Sequence, residues 1–114
     1  MKKIVAWVDN TKNLKYAGYA NFHRSAASVL KQGSANCCDG TRFFFELCDA
    51  AGLCEYYDFY YCHVYGHVYA IVETKKTKKW RYVDCASDWH GCWGYVCQGY
   101  AHGSRTSKYP RLPF

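Results

Sequence analysis

The clearest periodicity in the chain falls at residues 43–51. Phe43, Phe44, Leu47, Cys48 and Ala51 recur at three- and four-residue spacing, which predicts a helix with one buried face. Gly52 stops it, and Asn36 is a good N-cap, so the helix is expected to begin at Asn36 or Cys37. Upstream, Phe22, Ala26, Val29 and Leu30 predict a helix over 22–31, closed by Gly33 in a left-handed C-terminal cap. Residues 4–8, IVAWV, fit either a short strand or the start of a helix.

After Gly52 the pattern changes. Residues 56–64, YYDFYYCHV, are rich in strand-forming aromatics, and 67–74, HVYAIVET, alternate. KKTKK (75–79) reads as a solvated turn and WRYVD (80–84) as the returning strand. Beyond Asp84 the pattern fades into glycine-rich, aromatic chain. Helices first and an antiparallel sheet afterwards predict an α+β domain.

The 114 residues are expected to form one domain, 1–114. No apolar run approaches the length of a membrane span, and the N-terminal apolar stretch is too short for a secretory signal. Synthesis in the cytoplasm is expected, and with it reduced thiols for most of the eight cysteines. The net charge of +6 and the 12 tyrosines match a nucleic-acid binder or a binder of anionic wall polymer. No nucleic-acid motif accompanies them, so no nucleic-acid partner is expected.

The chemistry gathers at three points. Cys37 and Cys38 open the central helix, where unpaired N–H groups and the helix dipole favour a thiolate. His67 opens a strand after Gly66, and Asp84 ends the next strand. A thiolate, an imidazole that takes its proton and a carboxylate that orients the imidazole make a nucleophilic triad. His63, four residues before His67, reads as a packing histidine. His23, His90 and His102 read as surface or structural.

The hairpin register decides whether the triad can form. A closure symmetric about 75–79 sets Asp84 opposite Ala70, on the face away from His67. A register shifted by one sets Trp80 opposite Glu73 and Asp84 opposite Tyr69, which puts Asp84 and His67 on one face. The triad therefore requires a six-residue connection, 74–79, or an equivalent bulge. It also requires that this shared face look at the N-terminus of the Cys37 helix.

A rival reading takes Cys85, His90, Cys92 and Cys97 as zinc ligands in a non-catalytic, cysteine-rich zinc or wall-binding module. The C-x4-H-x-C-x4-C spacing lacks the usual Cys-x2-Cys pair. Disulfides among these later cysteines are a third possibility.

Three stretches, NCCDGTRFFFELCDAAGL, GHVYAIVE and KWRYVDCAS, resemble the motif blocks of the transglutaminase-like cysteine-enzyme superfamily. Cys37 with Asp39 and Gly52-Leu53 fit its first block. Gly66 and His67 fit the second, Trp80 and Asp84 the third. The likeness covers roughly 16–95. Within the superfamily, NFHRSA, NCCD, GHVYA and VDCAS are similar to the catalytic domain of pseudomurein endoisopeptidases, which are lytic enzymes of viruses that infect methanogenic archaea. The resemblance implies a papain-like fold and a Cys37–His67–Asp84 triad, with Cys37 rather than Cys38 as nucleophile. It implies cleavage of an alanine–lysine isopeptide bond in pseudomurein wall peptide through a thioester, with the archaeal wall as site of action. The family's wall-binding repeats are absent from 1–114. A transglutaminase or acyltransferase with the same triad is the enzymatic alternative. No cofactor is required for the chemistry. A divalent cation such as calcium is implied as a supporting ion, with no ligands assigned. The enzyme is expected to act as a monomer. The oxyanion is expected to meet the Cys37 backbone N–H and a second donor, Tyr19 or Asn21. Trp89 and Trp93 are expected to line a groove for extended peptide.

Overall fold

Asn36 begins the element on which the fold is built. Its backbone is extended, and its side-chain oxygen accepts from the Asp39 backbone N–H at 2.9 Å. That cap releases a 14-residue helix, Cys37–Ala50, whose buried face carries Phe43, Phe44, Phe45 and Cys48. Gly52, at φ +79, then turns the chain as only glycine does readily.

The computed structural model describes residues 1–10, 12–64, 66–84 and 104–114. In chain order the elements are helix α1 (Lys2–Asp9), strand β1 (Lys15–Tyr16), helix α2 (Ala26–Gln32), strand β2 (Ser34–Ala35), helix α3 (Cys37–Ala50) and a 3-10 turn (Leu53–Glu55). Strands β3 (Tyr57–Val64), β4 (His67–Thr74), β5 (Trp80–Val83) and β6 (Ser104–Lys108) follow. The result is an α+β domain with an antiparallel sheet ordered β5-β4-β3-β6, and a short parallel pair, β1 with β2. No helix among the described residues is long and apolar enough to cross a membrane.

The sheet has two unlike faces. Val68, Ala70, Val72 and Val83 alternate onto the face that packs with Phe59, Tyr61 and the phenylalanines of α3. Cys62, Tyr69 and Ile71 form a second cluster with Tyr60 and Tyr82 on the opposite face. Each large side chain removed from water here contributes roughly 1.5–3 kcal/mol.

Residues 4–8 belong to a helix: Val8 is buried, and Trp7 meets Phe43 at 6.0 Å between ring centroids. Helix α2 starts later than its apolar spacing suggested. Ser25 caps it by accepting from the Ser28 N–H at 3.2 Å, and Gly33 closes it at φ 67 as expected. Phe22 and His23 therefore lie before the helix, in a segment that turns toward Asp39. The tail is more ordered than its polarity suggested. Strand β6 pairs with β3, and the Tyr109 hydroxyl donates to Asp49 at 2.9 Å.

Candidate active site

The β4–β5 hairpin adopts the register that joins His67 to Asp84. Glu73 pairs with Trp80, Val72 with Arg81, Ile71 with Tyr82 and Ala70 with Val83. Continued by one residue, this ladder sets Asp84 opposite Tyr69. The connection is closed by the Thr74 N–H donating to the Lys79 carbonyl at 2.9 Å, and the Thr74 hydroxyl bonds the same carbonyl at 3.0 Å. His67 Nε2 and Asp84 Oδ2 are 2.9 Å apart, and both residues are buried. His67 is the first residue of β4. It follows Gly66 at φ 72 and stacks on Tyr69 at 5.6 Å.

One requirement set by the sequence is corrected. The face shared by His67, Tyr69 and Asp84 is not the one α3 covers, because α3 packs on Val68, Ala70 and Val72. The N-terminus of α3 instead reaches the end of β4. There the Cys37 thiol comes within electrostatic reach of the His67 side chain and the Val68 backbone N–H, both of which favour its anion. Thr41 ties the same turn down: its hydroxyl bonds the Cys37 carbonyl at 2.7 Å and lies 3.5 Å from the Val68 carbonyl. Nε2 faces Asp84, so the other ring nitrogen, the buried Nδ1, points away from that carboxylate.

These contacts set the charges. The Cys37 thiol is brought down from 9.0 to about 4. The hydrogen bond from Cys38 is the largest cause. Burial opposes it, and the bonds from His67 and the Val68 amide, with the imidazolium charge, carry the rest. Cys38 is held well above a normal thiol, first by donating to Cys37, then by burial and by the negative charges of Cys37 and Asp39. For His67, burial is the largest influence and lowers the pKa. The bonds to Asp84 and Cys37 and their charges outweigh it and bring the ring up to about 9. The neighbouring thiols therefore titrate as a pair, in which one favours the anion of the other, an influence of Cys38 that its sequence position did not reveal.

Asp39 anchors a second network beside the first. It is 1 % exposed. Its carboxylate accepts from the Tyr19 hydroxyl and from the Arg24 backbone N–H at 2.8 Å, and His23 Nδ1 lies 3.0 Å away. The Arg24 guanidinium sits over the Tyr19 ring at 4.2 Å and bonds the Ser34 hydroxyl and carbonyl. Asp39 therefore straps the segment 19–24 across the start of α3. The Tyr19 hydroxyl is committed to this carboxylate, and burial followed by that bond holds it protonated well above a normal phenol. Asn21 is exposed, with a left-handed backbone at φ 69. His23, read as surface or structural, is half-exposed and belongs to the strap, stacked on Phe114 at 4.8 Å.

Asp39→Ala removes the acceptor from three donors at once and is expected to destabilise the fold by about 3 kcal/mol. Urea unfolding measures this. A change below about 0.5 kcal/mol would show the strap to be slack.

His63 lies opposite Val68 and so faces the α3 side of the sheet, with Nδ1 2.6 Å from the Thr106 hydroxyl. Burial lowers its pKa, while the Cys37 charge raises it, placing a second imidazole in the electrostatic reach of the thiolate. Trp89 and Trp93 lie outside the described residues, as do Cys85, His90, Cys92, Cys97 and His102. Cys37, Cys38, Cys48, Cys54 and Cys62 are free thiols. Among the described residues no three His, Cys, Asp or Glu side chains gather as a metal-binding group. Comparison with protein families, characterised proteins and solved structures found no match for this chain.

Proposed function

We propose that the chain is a papain-like, transglutaminase-like cysteine hydrolase that cleaves an amide or isopeptide bond through a thioester. The observation that carries this reading is the buried His67–Asp84 pair at the end of β4, with the Cys37 thiol at a helix N-terminus close enough for His67 to favour its anion. A lone buried histidine–carboxylate pair would serve structure equally well. A thiol lowered to about 4 at the end of that pair is what catalysis needs.

In this mechanism the Cys37 thiolate attacks the carbonyl carbon. The oxyanion meets the Cys37 backbone N–H, which as the first helical amide has no intrahelical acceptor. His67, protonated at Nδ1, gives that proton to the leaving amine as the C–N bond breaks. Neutral His67 then takes a proton from water, and the resulting hydroxide equivalent opens the thioester and restores the thiolate. Asp84 accepts from Nε2–H throughout, which holds the ring in orientation and favours its charged form.

The motif likeness to pseudomurein endoisopeptidases supplies the substrate: an alanyl carbonyl joined to a lysine ε-amine in wall peptide. Incubation with purified pseudomurein is expected to release lysine ε-amines, read by mass spectrometry, and Cys37→Ala is expected to release none. Equal release by both proteins, or by neither, would overturn this substrate. Incorporation of an added amine in place of hydrolysis would assign the same triad to acyl transfer.

A further inference from the structure

A cavity of about 600 Å³ opens at the other end of the sheet from Cys37. Its floor is the α3-facing surface of the β4–β5 hairpin, where Val72 pairs with Arg81, and Thr74 and Val83 lie on the same face. Its wall is α1, through Lys2 and Val5. Measured along β4, the cavity lies about 17 Å from His67, at ~3.3 Å per residue. None of Cys37, His67 or Asp84 lines it.

Its chemistry is lopsided. Valines and Tyr57 give an apolar interior, and the charged side chains that line it are Lys2, Lys79 and Arg81. No aspartate or glutamate lines it. Among the described residues neither Lys2 nor Lys79 has an ion-pair partner. Arg81 is the unusual member, a cation on the same sheet face as the buried Val72 and Val83. An edge strand can carry such a residue simply to discourage sheet-to-sheet pairing. That role does not call for an apolar hollow beside it, or for a second and third cation lining the same cavity. The volume lies within the range of small-molecule sites, roughly 300–1,000 Å³, and the concave shape suits one molecule rather than a flat surface.

We propose that this cavity is a second ligand site, separate from the thiol centre, for a small amphiphilic anion: an apolar body that ends in one carboxylate. The body lies against Val5, Val72 and Val83. The carboxylate meets Lys79 and Arg81 at the hairpin end, with Lys2 across from them.

Titration of the full chain with octanoate and, separately, with octan-1-ol tests this by calorimetry and amide chemical shifts. Octanoate is expected to saturate with shifts at Val72, Thr74 and Lys79, and to bind about tenfold more tightly than octan-1-ol, the increment of one charge-assisted hydrogen bond. Lys79→Glu, at an exposed hairpin position, is expected to abolish that preference. Val5→Trp, which fills the hollow, is expected to weaken both probes. Absence of saturable octanoate binding, equal affinity for the two probes, or unchanged affinity in Lys79→Glu would each overturn the proposal.

Discussion

Cys37→Ser is expected to lower turnover of a wall-peptide amide by about 10⁴-fold or more, while Cys38→Ser retains most of it. Both residues sit on the first turn of α3, and both are half-buried, so position alone does not separate them. Their partners do. Cys38, His67 and the Val68 amide all favour the Cys37 anion. Cys38 has the anion beside it and Asp39 next in the chain, both of which favour the neutral thiol. Because the bond from Cys38 is the largest single influence on Cys37, Cys38→Ala is expected to move the acid limb of the pH–rate curve upward from about 4. Cys38→Ser, which keeps a donor, is expected to restore much of that shift. Full activity in Cys37→Ser with loss in Cys38→Ser would reverse the two roles.

Asp84→Ala is expected to cost about 10³-fold or more in turnover with the fold intact. The carboxylate does two things at once. It accepts from Nε2, which fixes the orientation of the ring, and its charge stabilises the imidazolium. Asp84→Asn keeps an acceptor oxygen but loses the charge, so it is expected to recover part of the rate. The sign of the accompanying pH effect follows from His67. Its pKa stands at about 9, and Asp84 is the largest cause that raises it. Without that charge the imidazolium loses its proton at lower pH. The alkaline limb of the bell-shaped profile in Asp84→Asn should therefore move down, while the acid limb, set mainly by Cys37 and Cys38, moves little. An alkaline limb that stays in place would remove Asp84 from the proton chemistry.

The elements that carry this chemistry were legible because their signals are local. Asn36 before a run of helical apolar spacing marked the cap, and the cap marks the thiol at the helix start. Alternation in 67–74 and the turn at 75–79 marked the hairpin, and the side-chain period of two reduced the triad to one register. What the sequence concealed depends on tertiary contacts. SRTSK, residues 104–108, has no apolar alternation and forms a strand only because it pairs along β3. Residues 4–8 have five apolar positions in a row, which erases the distinction between periods of two and 3.6. Phe22 extended the apparent helix backward, but Asp39 draws the segment 19–24 elsewhere. The same pull takes the Tyr19 hydroxyl away from the oxyanion role. Nor could spacing tell that α3 covers the face opposite to His67 and meets it at the strand's end.

Alkylation of the native protein probes the Cys37–His67 pair without any substrate. Iodoacetamide is applied at a series of pH values from 3 to 10, and the rate at each cysteine is read by peptide mass spectrometry. Cys37 is expected to react faster than Cys38, Cys48, Cys54 and Cys62 at neutral pH. Its rate should stay high as the pH falls and be lost only near pH 4, where the thiolate takes up its proton. His67→Ala should move that loss upward, because the hydrogen bond and charge that hold the anion are gone. A Cys37 rate that climbs steadily toward the pKa of an ordinary thiol, about 8.5, and is indifferent to His67→Ala, would contradict the existence of the pair.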